Sequence, residues 1–186
     1  MTVKSVSNLK MGYLYPPAVA MNHAKSLYLL KSRFDIKPKV VYVPGCGADG
    51  SHCEVFTNAR RIINLDPEPD DIFRLRQYFA NRPNIEFYVS RAQDFKLDEP
   101  IDLLVLFSCL FTMDEIKEEL FDSVNEDGYI INNLDQKEFR TRSNFQLIGY
   151  VNREGNIIEG CLLNKHPITR RDYDQAFLYR KISKLQ

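Results

Sequence analysis

Tryptophan is absent from this chain, and histidine occurs only three times. The four cysteines, Cys46, Cys53, Cys109 and Cys161, show no CxxC spacing and no paired-histidine motif, so no zinc or other metal site is expected. Cys109 and Cys161 lie in apolar runs, where a thiol behaves as a small core residue, and this usage fits a reducing, cytoplasmic setting. No stretch approaches the ~18–20 apolar residues of a membrane span. Met1 to Lys10 has no apolar run like that of a signal peptide. Net charge is absent as well: 25 bases balance 25 acids, so the global field recruits neither nucleic acid nor an anionic membrane. There is no internal repeat, low-complexity segment or linker.

What is present is an ordinary globular composition. The chain has 186 residues, 44% hydrophobic and 12% aromatic, enough for one domain spanning 1–186 with a core that needs no staples. Charge is uneven along it. From Lys137 onward ten bases face five acids, a local +5 that leaves −5 in the remainder. The bases are interleaved with acids, which favours a solvated surface over a basic patch for a phosphorylated or acidic substrate.

Hydrophobic periodicity divides the chain into alternating elements. Residues 1–38 form an N-terminal arm and helix. Pro16-Pro17 precedes Ala20, Ala24, Leu27, Leu30 and Phe34, spaced by threes and fours like one face of a helix. Val40 to Val43 reads as a buried strand ending at Pro44. A loop from Gly45 to Gly50 follows, then a short helix capped by Ser51 and running to Ala59. Ile62, Ile63 and Leu65 make a second strand, closed by Asp66-Pro67, and a helix covers about Asp70 to Asn81. Strands follow at Ile85–Val89 and Ile101–Phe107, a helix from Thr112 to about Val124, and a strand at Tyr129–Leu134. The alternation signals a parallel sheet covered on both faces. A short helical stretch is expected around Lys137–Thr141. The strands Phe145–Val151 and Ile157–Leu163 are separated by a link so short that they must be antiparallel. The periodicity then predicts a closing helix over about Arg170–Lys184, within a C-terminal helical region 164–186.

The chemistry-bearing pattern is Gly45-x-Gly47-x-x-Gly50, after a strand and before a helix. Glycines allow a tight turn and close approach of a ligand to the backbone, and the following helix start favours negative charge. Asp66 stands 21 residues after Gly45, at the end of the second strand, close to the ~20-residue spacing of an acid that accepts hydrogen bonds from ribose hydroxyls. An adenosine-containing cofactor follows from this pairing, without a choice between a nicotinamide and a methyl donor.

The residues Val40-Val41-Tyr42-Val43-Pro44-Gly45-Cys46-Gly47 resemble the first motif of the class I S-adenosylmethionine-dependent methyltransferases. Ile101 to Leu106 is similar to that family's fourth-strand motif, and Asp127-Gly128-Tyr129-Ile130-Ile131 to the lead-in to its fifth strand. The resemblance runs from Lys39 to about Leu163. It implies a Rossmann-like, doubly wound α/β fold: a mostly parallel seven-stranded sheet with a C-terminal antiparallel hairpin and helices on both faces, its core at 39–163. It implies S-adenosylmethionine as cofactor, held by Gly45, Cys46 and Gly47 in the loop, with Asp66 at the ribose and Pro67 beside the adenine. After the third strand, Ala92-Gln93-Asp94-Phe95 falls where the family puts an acid or amide near the adenine amino group, so Gln93, Asp94 and Phe95 join the set. Phe107 closes the fourth strand and completes it. Tyr42, Val43 and Pro44 stand where the family commonly carries an acid that helps place the methionine end. The Asn/Asp-Pro-Pro-aromatic motif of enzymes that methylate planar amino groups is missing at Phe107-Ser108-Cys109-Leu110-Phe111.

The resemblance thus implies a methyltransferase acting on a small molecule, with a protein side chain as the other acceptor class its small pockets accommodate, and with nucleic acid and membrane disfavoured. A non-catalytic scaffold that keeps the fold, and a nicotinamide-dependent oxidoreductase, are the alternatives. Methyl transfer from a sulfonium needs mainly proximity and orientation, so no triad is expected and no catalytic residue is assigned. His23, His52 and His166 read as surface or capping residues rather than bases. Tyr13 and Tyr15 suit either a lid or simple packing of the N-terminal arm.

Overall fold

The computed structural model describes residues 17–107, 118–133, 144–152, 154–159 and 176–182. Helix α1 spans Pro17–Arg33, followed by β1 (Val40–Pro44), α2 (Ser51–Val55), β2 (Arg61–Asp66), α3 (Pro69–Tyr78) and β3 (Ile85–Val89). Then come β4 (Ile101–Leu106), α4 (Glu118–Asp122), β5 (Val124–Asn132), β6 (Phe145–Val151), β7 (Ile157–Glu159) and β8 (Ala176–Lys181). The strands form one sheet in the order β3-β2-β1-β4-β5-β8-β6-β7. Strands β1 to β5 pair in parallel, whereas β8 is antiparallel to both β5 and β6, and β7 is antiparallel to β6.

Every residue of β1 is buried, because the sheet is covered on both sides. Side chains alternate across it. Val41 and Val43 point to one face, where Ala24, Leu27 and Leu30 of α1, Cys53 and Val55 of α2, and Ile72 and Leu75 of α3 pack. Val40 and Tyr42 point to the other, with Leu104, Leu106, Ile130 and Phe121 of α4. The chain starts at the sheet centre, winds outward to β3, and returns to place β4 on the other side of β1. That reversal between β1 and β4 is a topological switch point, and sheets of this kind bind ligands at the carboxyl ends of the strands beside one.

The parallel core and the β6–β7 hairpin match the sequence expectations, but the sheet has eight strands among the described residues, not seven. The extra strand is β8, within the segment predicted as the closing helix at about 170–184. Ala176 and Leu178 face one core while Phe177 and Tyr179 face the other, a period of two. A short apolar run fits either period, and here the open edge of β5 decides, since β8 pairs with it from Tyr129↔Arg180 to Asn132↔Phe177. Strand β5 also starts earlier than the Asp127-Gly128 turn signal suggests. It pairs first at Ile101↔Val124, then shifts register to Leu103↔Tyr129, with Asp127 at φ 64° in the irregular stretch. Helix α2 ends at Val55 rather than Ala59, and Ser51 is its first residue, not its cap. The helical stretch at 137–141, Tyr13, Tyr15 and His166 lie outside the described residues.

Candidate functional site

The loop after β1 is shaped by two left-handed glycines, Gly45 at φ 68° and Gly47 at φ 52°, where a side chain would strain the backbone. Between them the Cys46 N–H donates to the Leu65 carbonyl at 2.9 Å, fastening the loop to β2. One residue on, the Gly47 N–H donates to Oδ2 of Asp66 at 2.7 Å. The other carboxylate oxygen, Oδ1, accepts the Glu68 N–H at 2.9 Å. Asp66 is thus buried at the end of β2 and aimed by two backbone donors. Each carboxylate oxygen has a second lone pair, so acceptor capacity is left for two hydroxyls of a ribose. The residues present fit an adenosine ligand: a tight loop turned at two left-handed glycines, joined to an oriented carboxylate. Gly50 has a different role. A Cβ there would lie 2.6 Å from Cε2 of Phe79, so this glycine lets α3 pack against the loop.

The remaining predicted residues are spread along the same rim. Pro67 is exposed beyond Asp66. The Ser90 N–H donates to the Asp66 carbonyl at 3.1 Å, tying the end of β3 to it, and the turn that follows carries half-buried Gln93 and exposed Asp94. Phe95 turns inward, its ring 4.9 Å from Tyr88 and 6.2 Å from Tyr42. Tyr42 therefore belongs to the core on the α4 face. Phe107 is buried just past β4.

Two residues not assigned from the sequence stand beside this site. Asp49, within the loop, is buried, and its Oδ1 accepts the Ser51 N–H at 2.8 Å. Its Oδ2 is 2.7 Å from Nδ1 of His23 on α1. Burial pushes the Asp49 carboxyl up. The His23 hydrogen bond, the nearby His52 and His23 rings and the Ser51 N–H outweigh this and hold it below the usual carboxylate range. The His23 ring lies 4.7 Å from that of Phe107. An acid thus stands in the loop, five residues after β1 ends. The available signal was Asp49 itself, an acid between Gly47 and Gly50.

His23 and His52 are both buried, which corrects the surface or capping reading of each. His52 Nε2 meets Oδ1 of Asn64, whose Nδ2 donates to the Glu86 carbonyl at 2.9 Å. That chain makes Nε2 the protonated nitrogen of His52. Burial lowers its pKa against the opposing pull of Asp49 and Asn64, so it is a neutral, structural ring. Burial likewise pushes the Cys53 thiol up, away from reactivity.

No protein-family model matches the sequence, and no curated protein matches it. Solved structures do. The N-methyltransferase NodS of Bradyrhizobium japonicum WM9 is 14% identical over 90% of this chain and 96% of its own, with TM-score 0.62. A methyltransferase of Geobacter sulfurreducens is 19% identical over 87% of this chain and 80% of its own, with TM-score 0.61. The phosphoethanolamine N-methyltransferase 1 of Haemonchus contortus is 13% identical over 88% of this chain and 44% of its own, with TM-score 0.59. The fold is that of the class I S-adenosylmethionine-dependent methyltransferases.

Proposed function

We propose that the protein binds S-adenosylmethionine at the carboxyl ends of β1, β2 and β4 and transfers its methyl group to a small molecule. The observation that carries this reading is the 2.7 Å hydrogen bond from the Gly47 N–H to Asp66, which makes the glycine loop and the ribose acid one unit. In this reading Gly45, Cys46 and Gly47 present backbone to the methionine end, and Asp66 accepts from the ribose. Pro67, Gln93, Asp94 and Phe95 border the adenine, and Phe107 stands near the sulfonium. The cofactor supplies an electrophilic methyl group; the chain supplies position and exclusion of water. Structures of this fold support the reading: NodS was solved with S-adenosylhomocysteine, and the Haemonchus enzyme with phosphoethanolamine and S-adenosylhomocysteine.

Isothermal calorimetry with S-adenosylhomocysteine tests it. Asp66→Ala removes hydrogen bonds to a charged group worth about 1.5–3 kcal/mol each, so affinity falls by about tenfold or more. No heat from the folded wild-type protein would reject the proposal.

A further inference from the structure

We infer that His23 and Asp49 form a proton-accepting pair in which Nε2 of His23 takes the proton of the methyl acceptor. This rests on the proposed methyltransferase reading.

Three elements build the pair at the carboxyl ends of β1 and β4: α1 carries His23, the loop after β1 carries Asp49, and Phe107 past the end of β4 packs against the imidazole. The loop after β1 and the residue after β4 flank the reversal of strand order between those strands, and His23 reaches them through Asp49 and Phe107. Each partner is held. Asp49 is 7% exposed and anchored by the Ser51 N–H, while His23 is 8% exposed between Asp49 and Phe107. An ionised carboxylate 2.7 Å from Nδ1 fixes the proton on that nitrogen, which leaves the lone pair on Nε2. Nε2 has no hydrogen-bond partner among the described residues. The same low-lying Asp49 carboxylate stabilises the imidazolium that forms when Nε2 takes up a proton. His52, also near Asp49, is committed to Asn64 and does not compete for this role.

His23 Nε2 receives the proton that an acceptor hydroxyl or amine sheds as its lone pair bonds to the methyl carbon. The carbon–sulfur bond breaks in the same step and its electron pair returns to sulfur. The imidazolium then releases its proton to solvent. The acceptor class is thereby narrowed to groups that must lose a proton to be methylated.

Sinefungin tests this without a known acceptor, because a carbon bearing an ammonium replaces its methylated sulfur. Calorimetry with S-adenosylhomocysteine comes first, and failure to bind rejects the methyltransferase reading itself. With binding established, the wild-type protein should prefer sinefungin over S-adenosylhomocysteine by about tenfold or more, the scale of a charge-assisted hydrogen bond. His23→Gln should reduce that preference to near parity while leaving S-adenosylhomocysteine affinity within about threefold. In wild-type protein, which needs no variant to fold, the ¹⁵N resonance of His23 Nε2 should shift on adding sinefungin and not on adding S-adenosylhomocysteine. Binding of both ligands with an unmoved Nε2 resonance, or an unchanged preference in a folded His23→Gln, would overturn the assignment.

Discussion

Replacing Asp66 by Asn tests whether the carboxylate, rather than any side chain of that shape, organises the loop. The wild-type carboxylate receives two backbone donors on different oxygens, Gly47 N–H at 2.7 Å and Glu68 N–H at 2.9 Å. Asn offers one oxygen. Whichever way the amide turns, its NH₂ faces a backbone N–H, so one bond is lost and two donors are opposed. A hydrogen bond to a charged group contributes about 1.5–3 kcal/mol, and the variant should lose about that much stability. With a urea m-value of about 2 kcal/mol/M, the unfolding midpoint falls by about 1 M at unchanged m. Equilibrium urea denaturation followed by circular dichroism reads the shift. A midpoint within about 0.2 M of wild type would refute the reasoning, because it would mean that the loop holds its shape without the carboxylate.

Two other perturbations probe the surroundings of the site. Gly50→Ala drives a Cβ to 2.6 Å from the buried Phe79 ring; it should cost about 1–3 kcal/mol by overpacking, read as a lower melting temperature, while the double variant with Phe79→Leu recovers part of the loss. His52 has a folded-state pKa below its ordinary value of 6.5, so the unfolded chain binds its proton first. Its stabilising contribution is complete above pH 6.5 and declines as pH falls toward the folded pKa, by about 1.4 kcal/mol per pH unit. Urea midpoints between pH 7.5 and 5 should show that slope in wild type and a shallower one in His52→Asn; equal slopes would contradict a neutral buried ring.

Much of the sheet was legible because buried parallel strands declare themselves as short apolar runs. Val40–Val43 and Leu103–Leu106 are buried on both faces, and only half-buried Asp102 interrupts the second run. The last strand was not legible. Ala176–Lys181 has apolar residues that suit a helix face equally well, and only the unpaired edge of β5 selects a strand. The site divides in the same way. The turn at Gly45 and Gly47 was legible because a tight left-handed turn needs glycine, and Asp66 was singled out by its distance along a βαβ unit. The hydrogen bond from Gly47 to Asp66 was not visible, nor was the inward turn of Phe95 onto Tyr42 and Tyr88.

By itself, then, the sequence determined the alternating core and the glycine loop with its acid, since both depend on backbone limits and local spacing. Only the tertiary structure decided the pairing of His23 with Asp49, 26 residues apart. It did so because that contact depends on where α1 lies across the sheet, which is a consequence of packing two apolar faces and leaves no periodic trace in the chain.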